Sequence, residues 1–193
     1  MQVIAASHIS GCASTTDKQL KILLKTWLKQ SPRRIDRFIL QSLLAAVAIQ
    51  QHVRADCGLY VASAYPARTT MASLLNSVCA EQRQPKPFEF VNSVSNAAGF
   101  HIAQQLKLNG PNLFISANAQ VWQQLSMLAA CDLKSGSIQQ ALLVFCDEEE
   151  DFNAQAVLLE DSPTEQAATI DFQSLCSAID ICTYHFSAAD SAE

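Results

Sequence analysis

Four histidines (His8, His52, His101, His185), seven cysteines and a run of five carboxylates are the groups in this chain best suited to chemistry. The cysteines (Cys12, Cys57, Cys79, Cys131, Cys146, Cys176, Cys182) are odd in number and scattered through apolar sequence without a CxxC pair. They read as small buried residues rather than a disulfide, zinc or redox framework. Cys176, Cys182 and His185 lie close in sequence, but a metal site needs a fourth ligand and their spacing fits no common zinc pattern. No metal and no cofactor are therefore expected. Ser116 and Cys131 are candidate nucleophiles for thioester chemistry, yet neither has a neighbouring histidine in a recognisable motif, and a nucleophile without a positioned base is weak. The run Asp147 to Asp151 is expected to be a solvated loop, because adjacent carboxylates repel one another. Arg33, Arg34 and Arg37 form the one basic cluster.

The chain that must hold these groups has 193 residues and a formal net charge of -5. It is one ordinary domain in size, large enough for a sizeable core without disulfides. Hydrophobic residues make up 49% and charged residues 16%, which excludes disorder and leaves little charge to cover a surface, so a protein partner is expected. The acidic balance argues against nucleic acid or an anionic membrane. Apolar runs such as Leu43 to Ile49 are too short to span a bilayer, and the start lacks a cationic segment, so no membrane span, no signal peptide and a cytoplasmic location are expected.

Strand and helix patterns alternate. Val3 to Ala6, Gly58 to Ser63, Leu113 to Ser116, Ala141 to Cys146 and Ala154 to Leu159 read as strands. Lys18 to Lys29, Ile35 to His52 (broken from the first by Pro32), Thr70 to Glu81, Ser95 to Leu106 and Gln120 to Lys134 read as helices, the last stopped at Ser135-Gly136. Pro85 and Pro87 lead into Phe88 to Val91, and Asp171 to Tyr184 reads as a helix passing into a strand. This order implies an α/β fold with a mixed central sheet and helices on both faces, a single domain over residues 1–186, with 187–193 a flexible tail.

Three segments together resemble the amino-terminal half of a β-ketoacyl synthase, a condensing enzyme of the thiolase-fold superfamily. Ser31-Pro-Arg-Arg-Ile-Asp-Arg-Phe38 resembles the family's Arg-Arg-Met-Asp-Arg signature. Ser95-Asn-Ala-Ala-Gly-Phe-His-Ile102 resembles its Asn-x-x-Ala-Gly helix, and Gly110-Pro111 its Gly-Pro turn, with ungapped spacing from Asn96 to Pro111 and onward to Ser135-Gly136. The resemblance implies half of a thiolase-like fold. In the family the segment after Gly-Pro carries the nucleophilic cysteine; here it reads Ser116-Ala-Asn-Ala-Gln-Val121, and Ala119 takes the cysteine's place, with Gln120 one residue later. Alanine has no lone pair to attack a thioester. The family's catalytic histidines and lysine lie in a carboxyl-terminal half that this chain does not match, and His101 reads as structural.

The resemblance therefore implies a non-catalytic subunit like a truncated chain-length factor, which pairs with a full-length ketosynthase in polyene, polyketide or fatty-acid-like synthesis. It implies dimerisation through the strand before the vacant position, here Leu113, Phe114, Ile115, Ser116, Ala117 and Asn118. It places Phe88 and Phe90 where the family reaches toward the partner's acyl tunnel, and Tyr65 near the pocket gate. Arg33, Arg34 and Arg37 are the candidate contacts for an acidic acyl carrier protein, against the alternative that they pair internally. The other readings are a carrier-binding scaffold without chain-length control, and a thioester enzyme of other chemistry using Ser116 or Cys131. The exposed underside of the half-fold is expected to be covered by the segment after Thr164 through Phe172, Leu175, Ile179 and Ile181.

Overall fold

A computed structural model describes residues 1–29, 32–148, 151–162 and 171–187. Six strands form one mixed sheet in the order β3-β2-β4-β5-β1-β6. They are β1 (Gln2–Gly11), β2 (Gly58–Ser63), β3 (Asn112–Ser116), β4 (Gln140–Glu148), β5 (Phe152–Glu160) and β6 (Ile181–Phe186). β2 pairs in parallel with β3 and β4, and β1 with β6, while β5 runs antiparallel to both of its neighbours. β2 is buried along its whole length, the pattern of a central parallel strand covered on both faces.

On one face lie α1 (Asp17–Trp27), α2 (Arg37–Ala48) and α5 (Ala97–Leu106), with α3 (Arg68–Leu75) and α4 (Pro87–Ser93) farther out; on the other lie α6 (Val121–Lys134) and the short α7 (Phe172–Leu175). α1 starts where Thr16 and Gln19 cap one another, and α2 where the Asp36 carboxylate accepts the Ile39 N–H at 2.9 Å. Periodicity predicts one apolar face for α2, yet every residue of it except Arg37 is buried. It is wedged between the sheet, α1 and α5, and Ala45, Ala46 and Ala48 allow the close approach that lets the Ser7 hydroxyl donate to the Ala45 carbonyl at 2.6 Å.

Two cores result, one per face. The second joins α6 (Trp122, Leu125, Ala129, Leu133) to the sheet, and Tyr60 crosses it to donate its hydroxyl to Asp132 at 2.5 Å. Burial and this bond raise the Tyr60 pKa, so the phenol keeps its proton. The carboxyl-terminal segment covers this core as expected. Phe172, Leu175 and Cys176 are buried in it, Ile179 and Ile181 pack against it, and the Phe172 ring lies 5.3 Å from that of Trp122.

Several boundaries differ from the sequence expectation. β1 runs to Gly11, because β5 and β6 flank it on both sides. The helix expected over Thr70 to Glu81 is α3 followed by a π turn at Asn76–Ala80, and Phe88 to Val91 lies inside α4, which Pro87 opens. The acidic run is not wholly a solvated loop. Asp147 and Glu148 belong to β4, and Glu148 is buried where Arg37 Nε (3.1 Å) and Thr69 Oγ1 (2.8 Å) offset its charge. Residues 149–150 and the expected tail beyond Ser187 lie outside the described residues. Among those described, no helix is long and apolar enough to cross a membrane.

Two outcomes test this architecture. A Cβ at Gly110 would stand 2.5 Å from the Cys57 carbonyl oxygen, in the turn where Pro111 O accepts the Leu59 N–H. Gly110→Ala is expected to destabilise the chain by about 2 kcal/mol or more, a fall in Tm of roughly 5 °C that circular dichroism would read; an unchanged Tm contradicts the packing. A chain ended at Ser162 loses the residues that cover Trp122, and each buried Phe or Leu contributes about 1.5–3 kcal/mol. It is expected to aggregate on expression, and a soluble product melting at the full-length temperature contradicts the role given to α7 and β6.

Candidate functional site

Among the described residues β3 is an edge strand, hydrogen-bonded to β2 alone. Its side chains alternate, Phe114 packing toward the first core and Ile115 toward the second, while Leu113 remains 41% exposed. The strand ends at Ser116, two residues earlier than the expected interface segment. Ala117 still donates its N–H to Ser63 O at 2.9 Å, but Asn118 has turned away, its side-chain oxygen accepting the Gln120 N–H (2.8 Å) and its carbonyl the Val121 N–H (3.0 Å). This Asx turn ends pairing and launches α6. Ala119 is exposed in it, two residues before the helix.

The histidines lie away from that turn. His8 is on β1, with three strands between it and β3, and His185 is on β6, with four, separations of about 19 and 24 Å at the usual strand spacing. His52 ends the turn after α2. His101 is on α5, across the sheet from α6, and its half-buried imidazole has a lowered pKa, so it is held neutral. Ser116 and Cys131 are exposed and no histidine bonds either. No group of three potential metal ligands occurs among the described residues.

The elements that precede β3 in the chain carry most of the exposed apolar side chains, and α5 among them packs against β3. Thirteen large hydrophobic side chains are exposed among the described residues, and ten fall between Tyr65 and Leu113. Phe90 (63% exposed) and Phe88 (48%) stand on α4, Phe100 on α5, Leu75 on α3 and Val78 in the turn after it. Tyr65 is exposed just beyond β2. α4 is held by Glu89, whose carboxylate accepts from the Lys86 N–H (2.8 Å) and from Arg83 (3.2 Å). These bonds keep its carboxyl below the usual pKa.

The basic cluster divides. Arg37 is 17% exposed and committed internally, to Asp17 (3.2 Å), Glu148 (3.1 Å) and the Thr15 carbonyl (2.7 Å). Internal pairing thus holds for Arg37, while Arg33 and Arg34 are exposed in the loop before α2. The Arg34 guanidinium sits 4.7 Å above the Phe88 ring, and its carbonyl accepts from Asn92 at 2.8 Å. A tunnel candidate and a carrier candidate are therefore in direct contact, a juxtaposition that 54 positions of separation concealed. Asp36 beside them has a raised pKa from burial, against the Ile39 N–H and the Thr70 hydroxyl that favour its charge.

A cleft of about 980 Å³ opens behind this loop between Arg37, Arg68, Thr69, Glu148 and Phe152. Burial raises the Glu148 pKa against Thr69 and Arg37, and the two charges face each other across the cleft's inner wall.

No family model and no curated protein matches this chain. Solved structures do. The complex of a ketosynthase (ApeO) with its chain length factor (ApeC) from Xenorhabdus doucetiae matches with a TM-score of 0.62 at 15% identity, over 83% of this chain and 79% of that one. The ishigamide ketosynthase/chain length factor matches at 0.64 and 10% identity, over 86% and 64%. The ketosynthase from module 1 of the bacillaene synthase of Bacillus amyloliquefaciens FZB42 matches at 0.54 and 16%, over 83% of this chain and 42% of that one. The chain thus spans four fifths of the first, under two thirds of the second and less than half of the third. At such identities the likeness concerns architecture, and the architecture expected from the Arg-Arg-Ile-Asp-Arg and Gly-Pro segments is the one found: this chain has the thiolase-type fold of the ketosynthases.

Proposed function

We propose that this chain is a non-catalytic, ketosynthase-like subunit of the chain-length-factor kind, which pairs with a full-length β-ketoacyl-acyl-carrier-protein synthase and shapes the partner's acyl tunnel. The observation that carries the reading is the edge strand β3 with Leu113 exposed, together with the exposed apolar side chains of the segment from Tyr65 to Leu113, Phe100 of the adjoining α5 among them. An unprotected edge strand without charge is an aggregation hazard unless a dedicated partner covers it. Two of the solved structures of this fold are described as a ketosynthase with a chain length factor. The reading without condensing activity rests on Ala119 in the β3–α6 turn and on the distance of the imidazoles from it.

Within this reading β3, from Leu113 to Ser116, extends the partner's sheet, with Ala117 and Asn118 at its margin. Phe88 and Phe90 project from α4 toward the partner's tunnel, and Tyr65 stands at its gate. Arg33 and Arg34 meet the acidic carrier protein; Arg37 serves them by fixing the loop to Asp17 and Glu148.

Co-expression with candidate ketosynthases, size-exclusion chromatography with light scattering and an elongation assay test the proposal together. A stable heteromer is expected, and the doubly charged variant Phe100→Glu/Leu113→Lys is expected to weaken it at least 30-fold, the effect of losing about 2 kcal/mol at an interface centre. A chain that stays monomeric beside every ketosynthase tested would remove the proposal. In an intact complex, Phe88→Ala or Phe90→Ala is expected to lengthen the longest product by enlarging the tunnel end. Unchanged product lengths with all three of Tyr65, Phe88 and Phe90 replaced would leave a scaffold without chain-length control.

A further inference from the structure

Neither Ser116 nor Cys131 gains a base in the folded chain, but another serine does. Ser10, near the carboxyl end of β1, is in register with His185 on β6, and its Oγ lies 3.0 Å from His185 Nδ1. On the other side Ser10 is in register with Asn153 of β5. Partners in register project to the same face of a sheet, with Cβ atoms about 4.5–5.5 Å apart, so His185, Ser10 and Asn153 form one row. Strand alternation puts Ser10 on the face of Ala6, which belongs to the second core, and away from Ile9 in the first.

Among the described residues no helix is seated over that end of the face. α6 packs over β2 and β4, and the four-residue α7 reaches only as far as His8, through the Phe172 ring at 5.9 Å. Ser10 and Asn153 are half-buried and His185 is exposed, so a ligand can reach all three. The Asn153 side chain is half-buried, and its Oδ1 is buried without a hydrogen-bond partner among the described residues, so its amide nitrogen is the end left to donate to a ligand. The row therefore offers the three parts of an acyl-transfer site in order: a base bonded to a hydroxyl nucleophile, and a neutral N–H donor beside it.

We propose that His185, Ser10 and Asn153 form an acyl-transfer site for short acyl thioesters, which confines the non-catalytic reading above to condensation and leaves pairing with a ketosynthase unaffected. Ser10 Oγ attacks the acyl carbonyl carbon while its proton passes to His185 Nδ1, and the Asn153 amide donates to the oxygen as it gains charge. The carbon–sulfur bond breaks, and the leaving thiolate takes the proton from His185, giving an ester on Ser10. Water then attacks the ester carbon, His185 carries its proton to the departing Ser10 oxygen, and a carboxylic acid is released. No carbon–carbon bond forms. Because the row is open to solvent, the reaction is expected to be slow and to be seen as stoichiometric acylation before turnover.

The test treats the full-length chain with a fluorophosphonate and, separately, with a butyryl N-acetylcysteamine thioester, followed by intact-mass measurement and peptide mapping. One adduct at Ser10 is expected with each reagent. His185→Gln is expected to slow labelling at least tenfold and Asn153→Ala several-fold, with circular dichroism spectra unchanged from the parent. Ser10→Ala is expected to abolish it. Failure of the wild-type chain to label, an adduct mapped to Cys12 or any other residue, or wild-type rates in His185→Gln would each overturn the proposal. Pairing with a ketosynthase is read by chromatography, so failure of one proposal does not imply failure of the other.

Discussion

A sheet whose central strands are apolar on both sides has to be covered twice, and this requirement organises the chain. The first face is closed by α2, a helix buried all round, which is possible because its alanines let it sit close to the strands and because Ser7 satisfies a carbonyl at its carboxyl-terminal end. The second face has α6 over β2 and β4, but β5 and β1 beyond it would be bare. The chain closes that gap with its own last segment: Phe172 and Leu175 enter the core, and β6 adds a sixth strand beside β1. Without this closure the Trp122 ring, which the Phe172 ring approaches to 5.3 Å, would lose that cover.

Covering both faces does nothing for the edges, and the two edges differ. β6 exposes mainly polar side chains such as Thr183 and His185, and Phe186 is tucked into the first core. β3 is short and continues into a surface on which Phe100, Phe90 and Phe88 are exposed. The asymmetry matters because an apolar edge is the one more prone to pair with another chain, whereas a polar edge is better tolerated. The low charged fraction of the sequence is the same fact seen in composition.

Elements held by local signals were legible in the sequence. Gly58 to Ser63 is the strand expected, since a short apolar run between Asp56 and Pro66 has little alternative, and α6 stops where Gly136 takes up a φ of 73°. The fold itself was legible through three spaced segments. The misreadings share a cause. Asp147 and Glu148 look solvated because sequence shows their neighbouring charges but not Arg37, more than a hundred positions away, or Thr69. The helix expected over Thr70 to Glu81 breaks because Arg83 reaches back to Ser77 and redirects the chain. The pairings of Ser10 with His185 and of Arg34 with Phe88 follow from sheet order and loop packing, which no local pattern encodes.

The turn that holds Ala119 has a structural logic of its own. A residue that opens a helix at a sheet's carboxyl end meets unbonded N–H groups and the positive end of the helix dipole, a setting that lowers a thiol pKa. Here the Asn118 side chain takes the Gln120 N–H and its carbonyl takes that of Val121, so the turn satisfies its own first donors. Trp122 fills the space under the helix start, against Phe145 and Phe172. A cysteine at position 119 would stand in solvent, with the Gln120 and Val121 N–H groups already bonded to Asn118. The turn is built to end β3 and anchor α6, and that is enough to hold the edge strand in place for whatever pairs with it.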